Sequence, residues 1–199
     1  MPVPEFIVQL RDKVGHSPLW LSGASAVVIR EHPERGTEVL LVKGAETGRW
    51  SPVAGVVEPG EHPKVTVIRE VLEETGVTAT IERLCWLTVS EMITYANGDE
   101  SRYIEHVFRC RWIAGEPAPG DDENTEARFF PVDALPEMTA RHRQAVAIAL
   151  RDDPTASLDD VDEDFGGGLI AESAPCEDEE EALDFVDRLS MRTLSDEAP

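Results

Sequence analysis

Between Gly55 and Val77 the chain sets one arginine and a run of glutamates inside a frame of glycines, and this stretch constrains the fold more than any other. From His62 to Thr75 the residues follow a helical period: Val65, Ile68 and Leu72, with Val71 beside them, form the expected apolar face, and Gly76 supplies the stop. On that helix Glu70, Glu73 and Glu74 lie three and four residues apart, so the spacing projects all three from one face. Like charges so spaced destabilise a helix unless cations sit between them, and carboxylate oxygens are the donors that hard cations such as Mg²⁺ or Mn²⁺ prefer. Arg69 adjoins the cluster and can orient one of its carboxylates, and Glu61 lies just before the helix. The loop from Gly55 to Gly60 has a small residue at each end, which allows close backbone approach to a ligand.

The surrounding residues supply a mixed α/β order. Residues 5–14 place Phe6, Ile7, Leu10 and Val14 at helical spacing, and Gly15 and Pro18 close that short amphipathic helix. Residues 25–30 and 38–43 are β-branched and flank a charged turn, and 50–57 predicts a short strand running into a loop. Two long strands are expected over 77–90 and 103–113, joined through the hairpin-like segment from Tyr95 to Asp99. A Gly-, Pro- and Asp-rich loop over 115–124 precedes a strand at 126–130, and a second amphipathic helix is expected over 140–150.

Beyond Arg151 the composition changes. Residues 152–199 hold 17 of the 40 acids and 2 of the 18 bases, a charge of −15 out of a total of −22. The residues before them are only mildly acidic. This segment is expected to be an appended, partly flexible extension with one amphipathic helix over 177–191. The expected division is therefore an N-terminal helix and linker (1–21), a catalytic domain (22–151) and the acidic extension (152–199). No basic patch is visible, so nucleic acid is not an expected partner, and a small phosphorylated ligand needs metal ions to bridge it to an acidic site. Cys85, Cys110 and Cys176 form neither a zinc spacing nor a disulfide framework and are expected as free thiols. With no signal-like or membrane-spanning run, no membrane partner is expected and the expected location is cytoplasmic.

The pattern of Gly55, Glu61, Arg69, Glu70, Val71, Glu73, Glu74, Gly76 and Val77 resembles the Nudix box at each of its nine fixed positions. Similarity of element order extends from about Ser22 to Leu150; Ala54, where the family often has a second glycine, is a mild departure. The resemblance implies an α/β/α sandwich with a mixed β-sheet, and a hydrolase acting on acid anhydrides. It implies attack of water on a phosphorus of a nucleoside diphosphate derivative: a nucleoside triphosphate, a nucleotide sugar or a dinucleotide. It implies Glu70 and Glu74 as direct Mg²⁺ or Mn²⁺ ligands, with Glu73 sharing the shell, the Gly55 carbonyl adding an oxygen, and Arg69 and Glu61 in structural roles. Among catalytic residues it implies Glu73 and Glu74 together with a general base from the late loop, for which spacing favours Glu123 over Glu126. Arg49 is a candidate phosphate contact. Tyr95, 18 residues after Val77, is a candidate substrate contact, and Trp86, Tyr103 and Phe108 are further aromatics that can stack a base or fill a core. A homodimer is compatible with the family, and residues 5–14 can contribute to it. The rival reading is a nucleotide-binding or regulatory module of the same fold that does not hydrolyse its ligand; loss of a box carboxylate would favour it, and none is lost.

Overall fold

A computed structural model describes residues 3–120 and 122–158. The elements run α1 (Glu5–Val14), β1 (Leu19–His32), β2 (Gly36–Gly44), β3 (Trp50–Ser51), β4 (Val53–Val56), α2 (Pro63–Thr75), β5 (Thr78–Val89), β6 (Ile93–Thr94), β7 (Glu100–Ala114), β8 (Asn124–Pro131) and α3 (Ala140–Leu150). Each helix and strand expected between residues 5 and 150 is present. The helix expected over 177–191 and Cys176 lie outside the described residues, as does the extension from Asp159 onward. Its first residues still pair with the domain: the Leu87 N–H donates to the Ser157 carbonyl at 3.0 Å, and the Ser157 N–H to the Cys85 carbonyl at 2.9 Å.

The strands form one mixed sheet built on β1. Along one edge β1 runs parallel to β7, with Leu21 opposite Tyr103 and Ala24 opposite His106. Its other edge is shared, antiparallel, by β4 near Ala24 and by β2 beyond Ile29. β5 pairs with β7, β6 with the start of β7, and β3 and β8 with β2. The period-2 alternation of the central strands sorts their side chains into two cores. Ala24, Ala26 and Val28 of β1 and Leu40 and Val42 of β2 meet Val67 and Val71 of α2 on one face. Val27 and Ile29 of β1 and Val39 and Leu41 of β2 meet Val146 and Ala149 of α3 on the other. That is the α/β/α sandwich.

The helix ends are closed by local chemistry. The His62 ring accepts from the Lys64 N–H, Pro63 opens α2, and Gly76 ends it in the left-handed conformation with its N–H on the Leu72 carbonyl. The Thr139 hydroxyl caps α3 by accepting from the His142 N–H. Cys85 and Cys110 are buried free thiols, which burial pushes up to about 11 and about 12. No helix among the described residues is long and apolar enough to cross a membrane.

The expected apolar face of α2 is corrected by the structure. Val65 and Leu72 point to solvent, at 56% and 54% exposure, and the buried side is Thr66, Val67, Glu70, Val71, Glu74 and Thr75. The glutamates occupy inward positions that an apolar period would have filled.

Candidate active site

Glu70 and Glu74, one helical turn apart on α2, are 5% and 4% exposed, Glu70 against β4 and Glu74 against Asn124 of β8. Glu73 stands about 60° round the helix from Glu70 and about 100° from Glu74, and it keeps 44% of its side chain in solvent, so the three glutamates do not share one face equally. On β4, Gly55 pairs with Ala24 of β1 and lies directly against Glu70. A Cβ at residue 55 would sit 2.0 Å from Glu70 Oε1 and 2.4 Å from its Cγ, so only glycine lets the strand and the carboxylate approach this closely.

Arg69 holds this end of the helix to the preceding loop. Its Nε and Nη2 donate to the two oxygens of Glu61 at 3.1 Å each, and its Nη1 donates to Glu70 Oε1 at 2.8 Å and Glu73 Oε2 at 3.1 Å. Glu61 also accepts from the Thr66 hydroxyl and the Glu58 N–H. The hydrogen bonds from Arg69 hold the Glu61 carboxyl below its ordinary value, even though burial opposes the shift. Glu70 behaves oppositely: burial pushes its carboxyl up to about 7, against the pull of Arg69, and the nearby Glu73 and Glu123 push the same way.

The opposite wall is fixed by the loop that follows β7. The Gly120 N–H donates to the Glu74 carbonyl at 2.9 Å and the Ala118 N–H to the Thr75 carbonyl at 3.1 Å, so the loop satisfies the last carbonyls of α2. A Cβ at Gly120 would fall 1.8 Å from the Glu73 carbonyl oxygen. This contact delivers the residues just after it: Asn124 Nδ2 donates to Glu74 Oε2 at 2.7 Å, and Glu123 lines the same cleft as Glu70.

The cleft, of about 440 Å³, has an acidic end formed by Gly55, Glu58, Arg69, Glu70, Glu123 and Glu46. Of the residues expected at the site, the structure brings Gly55, Glu70, Arg69, Glu123 and Tyr95 to the cleft lining, and holds Glu61, Glu73 and Glu74 directly beside it. It does not bring Glu126 or Arg49. Glu126 stands opposite Lys43 in the β2–β8 register and is paired at 3.0 Å with Lys43 and 2.7 Å with Arg128. Arg49 is an exposed turn residue whose carbonyl accepts from the Gly44 N–H. Trp86 and Phe108 are core residues, whereas Tyr103 is in the cleft, its hydroxyl 2.7 Å from that of Tyr95. Asn124, Glu46 and Glu58 were not singled out. Asn124 had a usable signal, since it directly follows Glu123 in an otherwise acidic run.

Among the described residues no three carboxylate, imidazole or thiol side chains already converge as a closed cage. The donor chemistry nevertheless fits a divalent cation. Glu70 and Glu74 are buried one turn apart, Glu123 lines the same cleft as Glu70, Gly55 leaves the backbone open against Glu70, and the burial that raises the Glu70 carboxyl is offset by positive charge.

The comparisons with known proteins agree with this geometry. The family model described as NUDIX domain matches residues 21–150. The NAD-capped RNA hydrolase NudC of Pseudomonas aeruginosa is 35% identical over 109 residues, covering 54% of this chain and 36% of that protein. Putative nudix hydrolase 1 of Caenorhabditis elegans is 30% identical over 132 residues, covering 64% of this chain and 32% of that protein. The chain thus spans about a third of the length of these relatives. Among solved structures, the MutT NUDIX hydrolase from Burkholderia pseudomallei superposes with a TM-score of 0.51 at 28% identity, covering 65% of this chain and 98% of that one.

Proposed function

Because the chain belongs to the NUDIX domain family, we propose that it is a metal-dependent hydrolase that cleaves the diphosphate linkage of a nucleoside diphosphate derivative. The observation that carries this reading is the burial of Glu70 against Gly55 at the end of an open cleft also lined by Glu123, with the buried Glu74 one helical turn on, held by Asn124. Buried carboxylates without cations are costly, and a fold keeps them where their charge is used.

Glu70 and Glu74 would hold a Mg²⁺ or Mn²⁺ ion, with Glu73 and the Gly55 carbonyl beside them. Such an ion supplies neutralisation of the diphosphate charge and polarisation of the phosphorus centre when bound. The chain's own residues do the rest. Arg69 fixes the Glu70 and Glu73 carboxylates and ties the Gly55-to-Glu61 loop to α2. Asn124 orients Glu74. Glu123 is the general base: it takes the proton of the attacking water as the water oxygen bonds to phosphorus and the bridging oxygen leaves with the second product. Glu126, committed to Lys43 and Arg128, is not in a position to do so.

The test is a hydrolysis screen with Mg²⁺ and Mn²⁺ over nucleoside triphosphates, ADP-ribose, nucleotide sugars, NAD⁺, diadenosine polyphosphates and an RNA bearing a 5′ NAD cap. The last belongs in the panel because the NudC relatives carry that activity in their name. Phosphorylated products that depend on the metal and disappear in Glu74→Gln are expected. Ligand-induced stabilisation with no turnover across the panel would replace the hydrolase with a binding module.

A further inference from the structure

The cleft has a second end, and it is of different chemistry. Away from the glutamates it is walled by Pro4 and Ile7 of α1, Leu21 of β1, and Tyr95 and Tyr103. Residues 3 to 11 all precede the family match, which begins at residue 21, so this wall is supplied by the chain's own N-terminal helix. Ile7 is the residue that α1 buries, while Val8, Leu10 and Val14 are exposed, so the helix is set by the cleft wall and not by a core of its own.

α1 is anchored over the cleft by one side chain. Arg11 Nη1 donates to the Gly15 and Ser17 carbonyls at 3.1 and 2.6 Å, and its Nη2 donates to the Glu100 carbonyl at 2.7 Å and the Ser101 hydroxyl at 3.1 Å. Asp99, on the hairpin between β6 and β7, lies 3.4 Å from Arg11 Nε and 2.7 Å from the His16 ring. Arg11 and Asp99 therefore neutralise each other and leave this end of the cleft without a committed net charge. Tyr103 lies against Gly23, where an added Cβ would meet its ring at 3.4 Å, and burial together with the Tyr95 hydroxyl raises its phenol. It stays a neutral, flat, half-buried surface.

The register of β1 sets the distance between the two ends. Gly55, at the acidic end, pairs with Ala24, and Tyr103, at the aromatic end, pairs with Leu21. The two pairings lie on opposite edges of β1, so the ends are offset by about 10 Å along the strand and by two strand spacings of about 4.8 Å across it, and both line the same cleft. We propose that α1 and the two tyrosines form a nucleobase subsite: the base lies between Ile7 and Tyr103, and the ribose carries the diphosphate to the glutamates. This rests on the diphosphate reading above and adds to it which half of the substrate is recognised, and by what. Pockets of this kind take a flat apolar group on aromatic and aliphatic walls, with few polar contacts.

The test separates base from sugar phosphate. Binding of AMP, GMP, UMP, CMP and ribose 5-phosphate to the full chain is measured by titration calorimetry with Mg²⁺. The tightest nucleotide is expected to bind more strongly than ribose 5-phosphate by about 10-fold or more, the scale of one base stacked on an aromatic ring. Tyr103→Ala and Ile7→Asp are expected to erase that preference, and Tyr103→Phe to keep it, with thermal melts showing that each variant is folded. Equal binding of all five ligands, or an undiminished preference in both Tyr103→Ala and Ile7→Asp, would overturn the subsite. Glu74→Gln keeps the preference while losing turnover, so the two readings fail separately. Turnover without base preference removes the subsite, and base preference without turnover removes the hydrolase.

Discussion

Helices α2 and α3 do the same structural job on opposite faces of one sheet, with different side chains. α3 covers its face with Ala145, Val146, Ile148 and Ala149, all apolar and buried. α2 covers the other with Val67 and Val71, and interleaves Glu70 and Glu74 at equally buried positions. Desolvating a carboxylate is unfavourable, as the raised Glu70 carboxyl records, whereas desolvating a valine is favourable. The α2 face is thus less stable than a helix of its length can make it, and the α3 face is not. The difference separates a surface built to hold charge from one built to hold the sheet.

The strongest way to break this comparison is Glu74→Gln. Turnover is expected to fall on the order of 10²–10³-fold, the scale of removing one electrostatic element from a reacting centre. The melting temperature in metal-free buffer is expected to stay level or rise, because a buried charge is lost while an oxygen remains to accept from Asn124. A clear loss of stability by calorimetry would put Glu74 in the same class as the α3 residues and dissolve the distinction. Gly55→Ala probes the same face through the backbone. Its Cβ collides with Glu70, so a drop in kcat of about 10²-fold is expected from misplacement of that carboxylate. A mutant with normal kcat would show that Glu70 moves aside without consequence. On α3 the expectation reverses: Val146→Ala costs about 2 kcal/mol in urea unfolding and leaves kcat/KM within a fewfold of the parent.

The same contrast explains what the sequence revealed and what it did not. The strands and helices between residues 5 and 150 were legible from periodicity, caps and turn residues, because local chemistry places Gly76 after α2 and Thr139 before α3. The inward face of α2 was not. A periodic reading puts Val65 and Leu72 inside, but the helix turns its opposite side inward, where Glu70 and Glu74 lie with Val67 and Val71, and leaves Val65 and Leu72 in solvent. Spacing offers both Glu123 and Glu126 near the site, and that Glu126 stands opposite Lys43 comes from the pairing of β8 with β2, a register that neither strand encodes alone. The placement of α1 over the cleft was illegible for a related reason. It depends on Arg11 reaching Glu100 and Ser101, about ninety residues away.

The smallest expected effect sharpens the comparison, because it isolates charge that stabilises α2 from charge that burdens it. Glu61, unlike Glu70, sits below its ordinary value of 4.5, chiefly through the hydrogen bonds from Arg69. A carboxyl whose folded value is depressed contributes stability that is complete above its unfolded value and disappears as pH falls through the folded one. Stability from the Glu61–Arg69 pair is therefore present at neutral pH and lost from about pH 4.5 downward. Glu61→Gln should lower the melting temperature modestly at pH 7, and the gap to the parent should close on acidification through that window. Val146→Ala carries no titrating group, so its deficit should persist across the same range. If the Glu61→Gln gap stayed constant with pH, the contribution of Glu61 would be one of shape and hydrogen bonding alone, and both helices would be held by the same kind of force.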